Sequence, residues 1–193
     1  MKTTMIALAT VAGLATSAAY AGDFDNTGVD FVFTSGNLSF AAESTDGELD
    51  ALEARVNVLP HSLGFADADV TAYAGYSVIT DEAYAGAKYN VVKDIEALKL
   101  YGSLGAEYDV GTTDWTVTPK VGADYVVAEK LSVFAEVSYD YNASQDWAKM
   151  GGEAALGVNY AITDAVAIRP SVVRTFDTGA DETNLNVAVA LAF

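Results

Sequence analysis

Large apolar residues occupy every second position at the C-terminal end of the chain: Leu185, Val187, Val189, Leu191 and Phe193. Between them stand Asn184, Asn186, Ala188, Ala190 and Ala192, all small or polar. A period of two marks a strand with two unlike faces. The same rhythm recurs upstream. It predicts strands near 183–193, 165–176, 149–161, 131–142, 115–127, 97–109, 83–92 and 67–79, with two weaker ones near 48–58 and 37–44. The expected count is therefore about ten. It falls to eight if the weak pair fails, and rises to twelve if Val29–Phe33 is a strand with a partner of its own.

Three segments repeat around Tyr89, Tyr125 and Tyr160, spaced 36 and then 35 residues apart. Each closes one alternating run, makes a short charged turn and opens another. Helical solenoids share such a period but need a rhythm of 3.6. A rhythm of two points to an all-β, up-and-down antiparallel meander with two strands per repeat. The opposite connections have acidic or polar tips: 44–47, 80–82, 111–114, 142–149 and 177–182. They are short, so no large adhesive loop is expected.

Sorting the strands by parity separates an apolar from a polar face. Val117, Val121, Leu131, Val133, Val137, Leu156, Val158, Ile168 and Val172 share one side. Thr116, Thr118, Ser132, Ser138, Gly122, Gly157, Asn159 and Ser171 share the other with most of the charges. A soluble lipocalin-like barrel alternates too, with its apolar face inward. Two details favour the inverse. The polar face is rich in small residues that suit a confined interior. The apolar face has aromatics at two levels, Tyr89, Tyr125, Tyr160 and Phe193 at one and Tyr76, Tyr108, Trp115, Tyr139 and Phe176 at the other. Membrane interfaces select such girdles.

The N-terminal residues change the picture further. Lys2 gives a short positive region, Met5–Ala15 is apolar but too short to span a bilayer, and Ala19-Tyr20-Ala21 is a small-x-small cleavage site. Residues 1–21 are expected to be a secretory signal peptide and 22–193 a single barrel domain. The rival reading is an N-terminal anchor helix. There is no cysteine, so no disulfide framework supports an exported product. The net charge of −17, or −18 once Lys2 leaves, argues against nucleic acid and against docking on anionic lipid. Mean hydropathy is nevertheless +0.20. Sixteen glycines and three prolines suit a sheet with tight bends.

With these residues in view, the chain resembles a small outer-membrane β-barrel protein of Gram-negative bacteria, in the broad porin-like class. The resemblance rests on the closing run Leu185, Val187, Val189, Leu191 and Phe193. It implies that this run is a signal for the barrel-assembly machinery, that the short turns after Tyr89, Tyr125 and Tyr160 are periplasmic, and that the partners are outer-membrane lipid and lipopolysaccharide. It is silent on solute and oligomeric state.

Parity sends Arg55, Lys88, Lys99, Lys120 and Arg169 inward, with Glu43, Glu53, Glu107, Asp124, Glu136, Asp140 and Glu153. Buried charges must be paired or hydrated. The interior is therefore either filled by ion pairs or a narrow water-filled path for ions and small solutes. A barrel of about ten strands is far below the 16 to 18 of open porins. Other roles stay open: a non-conducting barrel that acts through its loops, or a soluble periplasmic barrel. Enzymatic chemistry is not expected. The single histidine, His61, falls in an expected turn in Leu59-Pro60-His61-Ser62, and no nucleophile elbow or phosphate loop is present. No cofactor or metal site is expected: the acidic tips 46–48 and 177–182 lack calcium-loop spacing.

Overall fold

A computed structural model describes residues 26–35, 37–179 and 181–192, with the backbone alone for 58–62. The expected signal peptide and Phe193 lie outside these residues. The described chain forms eleven strands: β1 (Asn26–Ser35), β2 (Leu38–Thr45), β3 (Glu48–Ser62), β4 (Asp67–Ser77), β5 (Glu82–Ile95), β6 (Leu98–Asp109), β7 (Trp115–Ala128), β8 (Leu131–Asn142), β9 (Ala148–Thr163), β10 (Val166–Phe176) and β11 (Thr183–Ala192). Each strand pairs with its neighbours in sequence, and β1 pairs with β11 to close a barrel.

The ten expected strands are all present, and the count of ten is corrected to eleven by β1. Its central Val29-Asp30-Phe31-Val32-Phe33 is the alternating segment whose partner was in doubt. Its partners are β2 on one side and β11 on the other. Eleven has a geometric consequence. In an up-and-down meander with an odd number of strands, the first and last run the same way. The β1–β11 seam is accordingly parallel, with Asn26 opposite Asn184 and Thr34 opposite Ala192, while all other pairings are antiparallel. The barrel is mixed rather than wholly antiparallel, and its strand number is not even.

Connections alternate between the two ends. The connections β1–β2, 63–66, 96–97, 129–130 and 164–165 mark one end, the turn end. Those at 46–47, 78–81, 110–114 and 143–147, with the connection β10–β11, mark the loop end. The β2–β3 turn places Asp46 (φ 52°) and Gly47 (φ 86°) in left-handed conformations, as a tight hairpin demands. Asp46 also secures the start of β1: its Oδ1 accepts from Thr27 N at 3.0 Å, and its own N–H donates to Thr27 O at 2.8 Å. His61, expected in a turn, belongs instead to the end of β3 opposite Ala68, beyond a register shift after Val58.

Besides Pro60 near the end of β3, two prolines lie inside strands, Pro119 in β7 and Pro170 in β10. A proline donates no backbone hydrogen bond. The β7–β8 ladder runs from Val117–Tyr141 to Lys120–Ser138, skipping Thr118 and Pro119. The β9–β10 ladder likewise skips from Ile168–Tyr160 to Ser171–Gly157 across Arg169 and Pro170. On their other sides Pro119 keeps register with Leu104 and Pro170 with Val187, so the wall stays continuous.

Cross-strand aromatic–glycine pairs build the interior. Tyr73 stands opposite Gly86, Tyr84 opposite Gly75, Tyr101 opposite Gly122 and Phe134 opposite Gly157. In each pair the ring lies where a β-carbon on the glycine would be. The rings cover the bare backbone of the glycines, and the glycines give the rings room inside a narrow barrel. At Gly157 an added β-carbon would lie 2.7 Å from Phe134 Cε1 and would also strike the Pro170 carbonyl, which is backbone and cannot swing aside. Gly102 lies on the outward face, where the nearest atom would be 3.5 Å away. Gly157→Val should destabilise the barrel by about 2 kcal/mol through overpacking, whereas Gly102→Ala should change it by no more than about 0.5 kcal/mol. Urea midpoints of the two variants, folded under the same conditions, measure the difference.

Candidate functional site

The side chains opposite to the apolar face converge on the lumen, where the described residues enclose two cavities. The first, about 410 Å³, opens toward the loop end and is lined by residues of β1–β3 and β7–β11. The second, about 450 Å³, lies nearer the turn end against β2–β7. They are offset across the barrel.

Glu136 on β8 is the centre of the first cavity's charge network. Its Oε1 is 3.1 Å from Lys120 Nζ, and its Oε2 is 2.9 Å from the Arg169 guanidinium. Tyr101 donates its hydroxyl to the same Oε2 at 2.9 Å. Lys120 on β7, Arg169 on β10 and Tyr101 on β6 thus meet on one carboxylate. Arg169 in turn lies over the Phe134 ring, 3.6 Å from its centroid. A guanidinium over an aromatic face is held by the ring's quadrupole. Phe134 is 1% exposed, the most enclosed large side chain of the lumen among the described residues.

The second cavity has its own knot. Arg55 on β3 pairs with Glu53 two residues away on the same face, and reaches Glu43 on β2 at 3.7 Å. Tyr84 hydrogen-bonds Glu53, and Tyr73 hydrogen-bonds Glu107. Lys88 lines the same space. Toward the turn end a polar ladder continues: Thr71 donates to Asn57 at 2.7 Å, and Asn90 donates to Thr71 at 3.0 Å and to Asp69 at 2.6 Å.

Of the charges expected inward, Glu43, Glu136, Glu153, Lys120 and Arg169 line the first cavity, and Glu53, Arg55, Lys88 and Glu107 the second. Three stand apart from both. Asp140 accepts from Thr118 at 2.5 Å. Asp124 accepts from Asn159 at 2.5 Å through Oδ2, while its buried Oδ1 has no partner. Lys99 is half exposed at the turn end, 4.0 Å from Asp94. Sequence reasoning missed Asp30, Tyr73, Tyr84, Tyr101 and Phe134 in the lumen. The signal was present: Tyr101 shares the parity of Lys99 and Glu107, and Tyr84 that of Gly86 and Lys88.

The aromatic residues expected in girdles, Phe193 apart, are on the outward face. Tyr125 and Tyr160 stand near the turn-end limits of β7 and β9, while Tyr89 sits mid-strand opposite Val70 and Leu104. At the loop end Tyr108 packs on Trp115 with ring centroids 5.2 Å apart, and Tyr139 on Phe176 at 5.9 Å. Tyr76 hydrogen-bonds Asp81 in the adjoining turn. On β11, Leu185 and Val187 are half-buried. Val189 and Leu191 are buried, flanked in register by Phe31 and Ile168 and by Phe33 and Val166.

The loop end is braced rather than open-ended. Asn142 caps a short 3-10 turn (Ala143–Gln145) by accepting from Ser144 N at 2.9 Å and Gln145 N at 3.1 Å. Its amide reaches Asp114 at 2.9 Å, and Gln145 reaches the same carboxylate at 3.1 Å, so the β8–β9 loop is tied to the β6–β7 loop. Among the described residues no group of three or more His, Cys, Asp or Glu side chains is placed to hold a metal ion. What the lumen offers chemically is a set of fixed charges around confined space.

No known family matches the chain, and no curated protein is significantly similar to it. The class stated by the structure itself is an all-β closed barrel of eleven strands, mostly antiparallel, with one parallel seam. Asn142→Ala removes both the cap and the tie to Asp114. It should cost about 1 kcal/mol and bring forward proteolytic cleavage within 143–147, read by limited digestion of the folded protein.

Proposed function

We propose that this chain is an integral outer-membrane β-barrel whose charged lumen allows limited passive diffusion of ions or small solutes. The observation that carries this reading is the inversion of the barrel. Its outward face exposes Leu52, Leu104, Val121, Leu156 and Val172, with Val121 at 60% and Leu156 at 61% exposed. Its inward face holds Glu53, Arg55, Lys120, Glu136 and Arg169. A water-soluble barrel has the opposite arrangement, with its apolar residues enclosed. An exposed apolar band around a closed sheet suits hydrocarbon, where closure leaves no backbone group unpaired. No described helix is long and apolar enough to cross a membrane, so strands would do the crossing.

The lumen supports diffusion better than an inert structural plug. Two cavities remain beside the ion pairs, and their walls are polar and charged. The alternative of a barrel acting only through its loops is less well supported, because those loops are short and the β8–β9 loop is braced by Asn142 and Asp114. The short turns at 96–97, 129–130 and 164–165 suit a periplasmic face. The expected signal peptide and assembly signal remain part of this reading as the route of export and insertion.

Two measurements test it. Unheated protein in detergent should migrate differently on a gel from heated protein, and washing of membranes with carbonate should leave it in the pellet. Release into the supernatant would overturn the membrane reading. Purified protein in planar bilayers should give discrete conductance steps, and smooth baselines at every voltage would overturn the pore. Phe134→Ala should enlarge those steps, because it removes the most enclosed ring of the lumen.

A further inference from the structure

The charges of the loop-end cavity do not balance. Its lining carries five carboxylates, Asp30, Glu43, Asp50, Glu136 and Glu153, against two cations, Lys120 and Arg169, a net of −3. The turn-end cavity has two of each, Glu53 and Glu107 with Arg55 and Lys88. Position matters as much as number. Both cations of the loop-end cavity are held by a single carboxylate, at 3.1 Å and 2.9 Å from Glu136. The Arg169 guanidinium is fixed a second time by the Phe134 ring beneath it. The nearest cation to Glu43 is Arg55, 3.7 Å away and already paired with Glu53. Asp30 stands opposite Glu43 in the β1–β2 register. Neither Asp30 nor Glu153 has an ion pair or hydrogen bond among the described residues.

Carboxylates on the wall of a confined, low-dielectric space raise the local concentration of cations and exclude anions. Fixed cations on the same wall offset that field, least where a carboxylate holds them close. Glu136 turns both of them onto itself.

We infer that the carboxylates of the loop-end cavity make the lumen cation-selective and that Glu136 sets how strong that preference is. By pairing with Lys120 and Arg169 it offsets part of their charge and leaves Asp30, Glu43 and Glu153 in excess on the lining, and the lumen passes small inorganic cations ahead of anions. The inference rests on the reading of the barrel as a pore. Removing Glu136 then does two things at once: it deletes one negative charge and frees two positive ones. Removing Asp50, on the same cavity, deletes one negative charge and frees nothing.

The test is the reversal potential of the purified barrel in a planar bilayer under a potassium chloride gradient. The unaltered protein should reverse on the potassium side of zero. Asp30→Asn with Glu153→Gln should lose most of that displacement. Glu136→Gln should lose more of it than Asp50→Asn, although both change the formal charge by one. A potential at or on the chloride side of zero for the unaltered protein would overturn the inference while leaving the pore intact. So would an undiminished displacement in the Asp30→Asn/Glu153→Gln variant, or a Glu136→Gln effect no larger than that of Asp50→Asn. Absence of conductance in every variant would overturn the pore reading and the inference together. Each variant is first checked for heat-dependent migration. If Glu136→Gln does not fold, Arg169→Gln replaces it and should increase the cation preference, and a decrease would count against the inference.

Discussion

Closure of the sheet is the constraint on which everything else depends. A strand at the edge of a sheet leaves a row of N–H and C=O groups unpaired. Here β1 and β11 each find a second partner in the other, and nine register pairs, from Asn26–Asn184 to Thr34–Ala192, seal the ring. Closure divides the side chains into two populations that cannot exchange. A residue is either outside or in the lumen, and a slip of one position would send Leu104 or Val121 in and Glu136 out. The charged interior and the apolar exterior are two results of one geometry.

The lumen is then a packing problem of an unusual kind. A closed barrel fixes the distance across the interior, and the side chains must fit it. The four aromatic–glycine pairs solve part of that problem on the wall itself, because the rings lie along the neighbouring strand rather than across the opening. Tyr73, Tyr84 and Tyr101 then offer hydroxyls to Glu107, Glu53 and Glu136, so three of the four rings also anchor a carboxylate. Aromatic packing and charge pairing are therefore coupled. Phe134 has no hydroxyl, and Arg169 takes the place of that contact by stacking on its face.

The alternation of residues such as Leu185, Val187, Val189 and Leu191 made strand positions legible, because period two is written directly in the side-chain pattern. Each of the ten expected runs coincides with a strand, with ends that differ by a few residues at most. Face assignment was legible for charged residues, because a charge contrasts with its neighbours. It failed for Tyr84, Tyr101 and Phe134, since an aromatic residue suits both an interface girdle and a lumen wall and only its glycine partner on the next strand decides. Those partners lie 9 positions away for Tyr84 (from Gly75) but 21 for Tyr101 (to Gly122) and 23 for Phe134 (to Gly157), distances that no local pattern reports. His61 was read as a turn because it lies between the strands expected near 48–58 and 67–79, whereas β3 runs on through Pro60 and His61 across a register shift. The count itself went astray at β1, whose alternation in Val29–Phe33 is clear but whose partner is set by the far end of the chain.

That separation bears on how the barrel can form. Asn26 donates to Asn184 at 3.4 Å across 158 positions, and to Glu182 at 2.9 Å. Contacts this distant cost the most chain entropy to establish, while the hairpins from β2 to β11 close over short turns. The seam is therefore the last pairing that local folding can supply. It is also well furnished for that role. On its outward side Phe31 meets Val189 and Phe33 meets Leu191, and those two β11 residues are among the most enclosed apolar side chains described. On its inward side Gly28, Asn186, Ala188 and Ala190 are small, so no bulky group must be threaded into the lumen as the strands meet. Polar contacts at the loop end, from Asn26 to Glu182 and from Thr27 to Asp46, fix where the register begins. A parallel seam gains slightly less per residue from its ladder than an antiparallel one, and apolar packing on one face with capped polar contacts at one end is how this sequence offsets the difference.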